Sequence, residues 1–277
     1  DAQVAVLESA KSSPRRAQCI TRGPDYVKPA DACEYNDGAL SWATFGDSHN
    51  VELTYALADE LKGQHAKVKH FSFSGCVPTY GRAAEGSFED CSHWTEEAVA
   101  YIAANPDIRH GVVTYRIHAH LFGGHEGLYP AFPNNVDAAL REARWKSYVG
   151  VSRYLAGKGK NVILVLQAPE LPKSLENLLF QSSDQRGEVA GMKRAWWDER
   201  SKYVMSRLNE LPAQVQVVDA ANIFCDRVRC LAANHGIGYY FDDDHLSVAG
   251  ARLVAGEIMK RSGTAFAARA HTVAMHK

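Results

Sequence analysis

Two short stretches far apart in the chain carry residue types suited to acyl chemistry. The first is Phe45-Gly46-Asp47-Ser48-His49, where an apolar run gives way to a helical pattern. A serine at such a junction sits near a helix N-terminus, where backbone N–H groups and the dipole stabilise a developing oxyanion. Gly46 permits the tight turn this requires. Taken alone, Asp47-Ser48 before a helix also reads as an ordinary N-cap. The second stretch, Asp242-Asp243-Asp244-His245-Leu246-Ser247, precedes the last helical pattern, with a surface acidic turn as its competing reading. An aspartate three residues before a histidine can accept the imidazole Nδ1–H, which leaves Nε2 free to take a serine proton. The two stretches together give the expected triad: Ser48 as nucleophile, His245 as base and Asp242 as orienter. Asp243 or Asp244 could in principle serve as orienter, but they read rather as solvated or N-capping groups. No metal or cofactor is expected, since the acidic run lacks the glycine and distal glutamate of a calcium-binding loop.

The elements that must position these groups follow from periodicity. Leu40–Phe45 reads as a buried strand, followed by a helix with Leu53, Leu57 and Leu61 on one face. Further strands are expected over Lys67–Phe73, Gly111–Tyr115, Val162–Leu166 and Val215–Val218. Helices are expected around Trp94–Ile102, Val136–Leu155 and Glu188–Leu211, and after His245. Strands alternating with helices imply one α/β domain, a three-layer α/β/α sandwich with a central, mostly parallel five-stranded sheet. Residues 1–38 carry three prolines and no sustained periodicity, so they read as a lead-in stapled to a catalytic domain over 39–277. The Ala-rich tail from Thr264 to Lys277 is expected to fray. Between the third strand and Pro133 runs a Gly- and His-rich stretch. It reads as a loop whose His118 and His120 form a substrate rim, a plain loop or a metal pair with a third ligand being the competing readings. His49 reads equally as lining the pocket or as an exposed histidine in the first turn of its helix.

Composition narrows the setting. A 46% hydrophobic, 23% charged chain is ordinary for a globular protein, and a net charge of -1 supplies no field to recruit nucleic acid. No apolar run reaches the roughly 18 residues that span a bilayer. The chain opens Asp1-Ala2-Gln3 without a signal pattern, so a processed or excised piece of a longer protein is expected. Six cysteines fall into close couples, Cys19 with Cys33, Cys76 with Cys91 and Cys225 with Cys230. Several connectivities are open, and nearest-neighbour pairing is the simplest. Disulfides would indicate an oxidising compartment, the alternative being six thiols in a reducing one.

The Gly-Asp-Ser block near the first strand and the Asp-x-x-His block near the C-terminus resemble the SGNH/GDSL hydrolase superfamily. More particularly, Gly46-Asp47-Ser48-His49, Ser74-Gly75-Cys76-Val77-Pro78 and Asp243-Asp244-His245-Leu246-Ser247 resemble SGNH domains fused to acyltransferase-3 membrane proteins. The resemblance covers roughly residues 38–262. It implies O-acetyl transfer to a carbohydrate hydroxyl of a bacterial surface polysaccharide such as O-antigen. It also implies an acetyl donor, delivered through an acyltransferase-3 domain, and a periplasmic location on an inner-membrane protein. Ser48 and Gly75 match positions whose N–H groups serve the oxyanion. The third block, Gly-x-Asn-Asp, is absent, and Val113-Thr114-Tyr115-Arg116-Ile117-His118 stands there instead. Arg116 is the candidate for the missing donor, unless it pairs with an acidic neighbour. Two other functions stay open: a carbohydrate O-acetyl esterase, with water as acceptor, and a catalytically silent glycan-binding or docking domain.

Overall fold

Alternation along the first long strand decides which layer each side chain serves. Trp42 faces one buried cluster with Leu53, Leu57, Leu61, Val254 and Ile258, while Ala43 and Phe45 face the other with Trp94, Ile102, Trp145 and Leu155. That is the two-sided burial that a mostly parallel sheet demands.

The computed structural model describes residues 2–82, 86–182 and 187–263, so the tail expected to fray lies outside the described residues. In chain order come α1 (Ala2–Ser9), α2 (Arg16–Cys19), β1 (Ile20–Thr21), β2 (Glu34–Tyr35), β3 (Ala39–Gly46), α3 (Asn50–Leu61) and β4 (Ala66–Phe73). Then follow α4 (Glu89–Ala104), β5 (His110–Thr114), α5 (Ile117–Phe122), α6 (Ala138–Gly157), β6 (Asn161–Leu166) and α7 (Leu175–Gln181). The remainder is β7 (Val189–Lys193), α8 (Arg194–Met205), β8 (Gln216–Asp219), α9 (Ala221–Phe224), β9 (Arg229–Asn234), β10 (Ile237–Gly238) and α10 (Val248–Arg261).

The five expected strands are present and parallel, in the order β4-β3-β5-β6-β8. The order reverses beside β3, because the chain goes from β3 to β4 on one side and later to β5 on the other. In open α/β sheets, ligands bind outside the carboxyl ends of the strands at such a switch point. Ser48 lies there.

Three expectations need correction. The sheet has seven strands rather than five, because β1 pairs parallel and β2 antiparallel along the outer edge of β4. The lead-in therefore does more than trail: α1 buries Val6 completely and its Ser9 Oγ accepts from the amide of Gly238 in β10. The helix expected over Glu188–Leu211 begins only at Arg194, since residues 189–193 form β7 in a separate antiparallel sheet, β10-β9-β7. Val189 and Met192 do bury apolar side chains, but they do so from a strand that pairs with β9. Finally, the expected loop after the third strand starts as a helix, α5, with Ile117 and Leu121 buried four residues apart.

All six cysteines form disulfides, Cys19–Cys33, Cys76–Cys91 and Cys225–Cys230. The first ties the residue before β1 to the residue before β2.

Candidate active site

The β3–α3 turn is shaped by close approach. A Cβ on Gly46 would stand 1.7 Å from the Thr114 carbonyl oxygen of β5, so only glycine lets the two strands run together to their ends. The chain then turns through Asp47 and Ser48 into α3.

Asp47 is buried and accepts three hydrogen bonds. Oδ1 takes the amide of His49 at 2.9 Å; Oδ2 takes the amide of Arg116 at 2.8 Å and His120 Nε2 at 2.7 Å. Burial would raise its pKa, but the His120 hydrogen bond, the His49 and His120 charges and the Arg116 amide hold it below the usual carboxylate range. This one carboxylate fixes the serine turn to the end of β5 and to α5. Asn50 adds a second clamp, donating from Nδ2 to Ser72 Oγ at 2.9 Å and to the Phe71 carbonyl at 3.1 Å in β4.

A third clamp comes from the lead-in. Glu52 looks like an exposed helix charge, yet it is 1% exposed. Its carboxylate accepts from the Ser13 amide at 3.0 Å and from Arg16 Nη1 at 2.6 Å, and Arg16 Nη1 also reaches the Ser48 carbonyl at 3.4 Å.

The distant Asp-x-x-His segment meets this turn. Ser48 Oγ and His245 Nε2 are 2.8 Å apart, and His245 Nδ1 lies 2.7 Å from Asp242 Oδ2. Asp242 Oδ1 accepts the amides of Asp244 and His245, so the segment is a closed turn aimed by its own first residue. The chain around β6's exit holds this turn from below: Leu171 donates to the Asp243 carbonyl and Leu175 to the Asp242 carbonyl. The His245 ring packs against His49 at 4.4 Å and against Phe241 at 5.4 Å between centroids.

Asp244 is not the solvated group expected from sequence. It is 5% exposed, with Oδ1 2.8 Å from His245 Nδ1, and Oδ2 2.7 Å from Arg116 Nε and 3.5 Å from His49 Nε2. Burial would raise its pKa, but the hydrogen bonds and charges of His245 and His49 keep it far below the usual range. Burial would likewise lower that of His245, and the two carboxylates outweigh burial to push it up to about 10. His49, Asp244 and His245, and separately the three aspartates, are grouped closely enough to hold a cation. Arg116 Nε already lies against the Asp244 carboxylate.

Arg116 does not stand free as an oxyanion donor. Its guanidinium contacts Asp244, Glu126 at 2.7 Å and His125 Nδ1 at 3.1 Å, and Glu170 lies at 3.7 Å. Glu170 itself is fully buried against Arg200 at 2.9 Å. The three rim candidates turn inward. His118 is buried edge-on against Trp197, His120 is spent on Asp47, and His49 is tucked beneath His245. Gly75 follows β4, the strand beside β3. Gly46 pairs with Ser72 across β3 and β4, so the residues following both strands emerge side by side, and Gly75 adopts a φ of +68° that favours glycine. Among the described residues no hydrogen bond engages the amides of Ser48 or Gly75. A cleft of about 510 Å³ lies elsewhere, between Phe122, Phe132, Arg141, Lys202 and Tyr203.

The family model described as SGNH domain (fused to AT3 domains) matches residues 18–260. No curated protein matches the sequence. Among solved structures, the chain is similar to the periplasmic domain of a lipopolysaccharide acetyltransferase from Salmonella ser. Paratyphi A. The TM-score is 0.58 at 11% identity, over 88% of this chain and 90% of that one, which is a likeness of fold. Weaker likenesses are to a family 2 carbohydrate esterase from Corynascus thermopiles (TM-score 0.43, 12% identity, 82% of this chain and 68% of that one). The C-terminal catalytic domain of Streptococcus pneumoniae peptidoglycan O-acetyltransferase A gives a TM-score of 0.35 at 15% identity, over 82% of this chain and 94% of that one.

Proposed function

Because this chain belongs to the SGNH domains fused to AT3 domains, we propose that it transfers an acetyl group to a hydroxyl of a bacterial surface polysaccharide through an ester on Ser48. The observation that carries this reading is the unbroken line Ser48 Oγ, His245 Nε2, His245 Nδ1, Asp242 Oδ2 at the sheet's switch point.

Neutral His245 takes the Ser48 proton as Oγ attacks the acyl carbonyl carbon. The amides of Ser48 and Gly75 hold the oxyanion, and the imidazolium returns its proton to the departing group. A sugar hydroxyl, deprotonated by the same nitrogen, then attacks the acyl-serine and restores the free enzyme. The guanidinium of Arg116, committed to carboxylates, has no place in that oxyanion hole. Water in place of the sugar would make the domain an O-acetyl esterase, and the acyl donor reaches Ser48 through an AT3 membrane domain. Among the described residues no helix is long and apolar enough to cross a membrane. Three disulfides support an extracytoplasmic setting.

The reading is tested by a time course with a chromogenic acetyl ester, with and without oligosaccharide acceptors, alongside fluorophosphonate labelling. Acetylated sugar and label on Ser48 are the expected results. Intact protein that neither takes the label at Ser48 nor turns over ester would instead be a silent glycan-binding fold.

A pH profile follows from the raised pKa of His245. Only the neutral ring can act as base, and the neutral fraction grows as pH climbs toward that raised value. Ester kcat/KM is therefore expected to rise about tenfold per pH unit through neutrality. A plateau already reached by about pH 6.5, the ordinary histidine value, would contradict it.

A further inference from the structure

Two carboxylates, not one, address the same nitrogen. Asp242 Oδ2 lies at 2.7 Å and Asp244 Oδ1 at 2.8 Å from His245 Nδ1. A neutral imidazole has one proton at that nitrogen to give, and Asp242 alone satisfies it. A second ionised carboxylate beside it repels the first and strengthens the hold on an imidazolium, which would cost the ring its readiness as a base. Such a group is tolerated in a buried place only with compensating charge. Arg116 supplies that charge, Nε to Oδ2 at 2.7 Å.

We propose that Asp244 is a second positioning residue for His245, and that Arg116 is its counterweight, so that the pair orients the ring while limiting the negative charge it meets. This deepens the triad reading and rests on it. The position where the family's third block would place an asparagine thus works on the base instead of on the oxyanion. The charged and titratable groups around the ring are few: Asp242 and Asp244 on its own segment, His49 from the turn into α3 and Arg116 from the end of β5. Arg16 lies over Phe241, one ring further out, at 5.2 Å. Behind Arg116 stand Glu126, His125 and Glu170.

Opposite signs make the proposal testable. In the Ser48→Ala protein, the His245 imidazole is titrated by NMR with either partner altered. Asp244→Asn removes an anion and is expected to lower the midpoint. Arg116→Gln removes a cation and is expected to raise it, each by about one pH unit. With Ser48 restored, the acid limb of ester kcat/KM moves the same way. Arg116→Lys keeps the charge and is expected to hold the midpoint near the parent's. A purely structural ion pair would give equal midpoints, or shifts in one direction from both partners, and either result overturns the proposal. Should Asp244→Asn fail to fold, the two Arg116 variants decide: Lys and Gln with the same midpoint refute it. Failure of the acyl-transfer reading would appear separately, as absent Ser48 labelling, and leaves the titration readable.

Discussion

Ser48→Ala is expected to cut turnover of an acetyl ester by between about 10⁴-fold and 10⁶-fold, with His245→Ala equally damaging and the double variant no worse than either. The two side chains act on one proton, so removing the second takes away nothing that still functions. Substrate binding is expected to survive, because neither residue holds the turn that carries it; Asp47, Asn50 and Gly46 do that. Steady-state kinetics on the three proteins, with circular dichroism to verify folding, provide the measurement. Full additivity of the two losses would mean that serine and imidazole act in separate steps, and the hydroxyl would then need another base.

The second large effect is on stability. Asp47→Asn is expected to destabilise the protein by about 3–5 kcal/mol, read by urea unfolding. The carboxylate receives three donors and is buried. An asparagine offers one oxygen, so its NH₂ group must face either the His49 amide or the Arg116 and His120 donors. The pH dependence has a definite sign. A carboxylate whose folded pKa is depressed contributes stability above the ordinary aspartate range and loses it as pH falls through the folded value. The gap between the wild type and the Asp47→Asn protein is thus expected to narrow in acid. A variant within about 0.5 kcal/mol of wild type at neutral pH would remove Asp47 as the anchor of the nucleophile turn.

How much of this could be read from the chain differs residue by residue. The strand–turn–helix around Ser48 and the Asp242–His245 turn are local, each defined by neighbours within a few residues, and both stand where periodicity puts them. The five parallel strands were legible for the same reason, as short apolar runs bounded by turn residues. What stayed hidden depends on contacts between distant stretches. Asp242, Asp243 and Asp244 are chemically identical, and partners from distant stretches, Arg116 and His49, distinguish the third. His120 resembles any loop histidine until α5 swings it onto Asp47. Glu52 occupies a helix position that suits a solvated charge, and nothing near it in sequence announces Arg16. β7 misled because Val189 and Met192 also satisfy a helical spacing, and only pairing with β9 selects the extended form. The lead-in's strands, two residues each, are too short to carry any period.

Those two short strands bear on how copies of the protein can meet. An open sheet border invites a neighbouring molecule to add its own strand, and crowding multiplies the opportunity. Along β4 that invitation is withdrawn, because β1 and β2 occupy the backbone groups and Cys19–Cys33 binds the two occupants to each other. At the opposite border β8 has no outer partner strand among the described residues. Strand addition to this seven-stranded sheet is therefore left to its β8 border, where two copies could join edge to edge without extending it into a continuous ribbon.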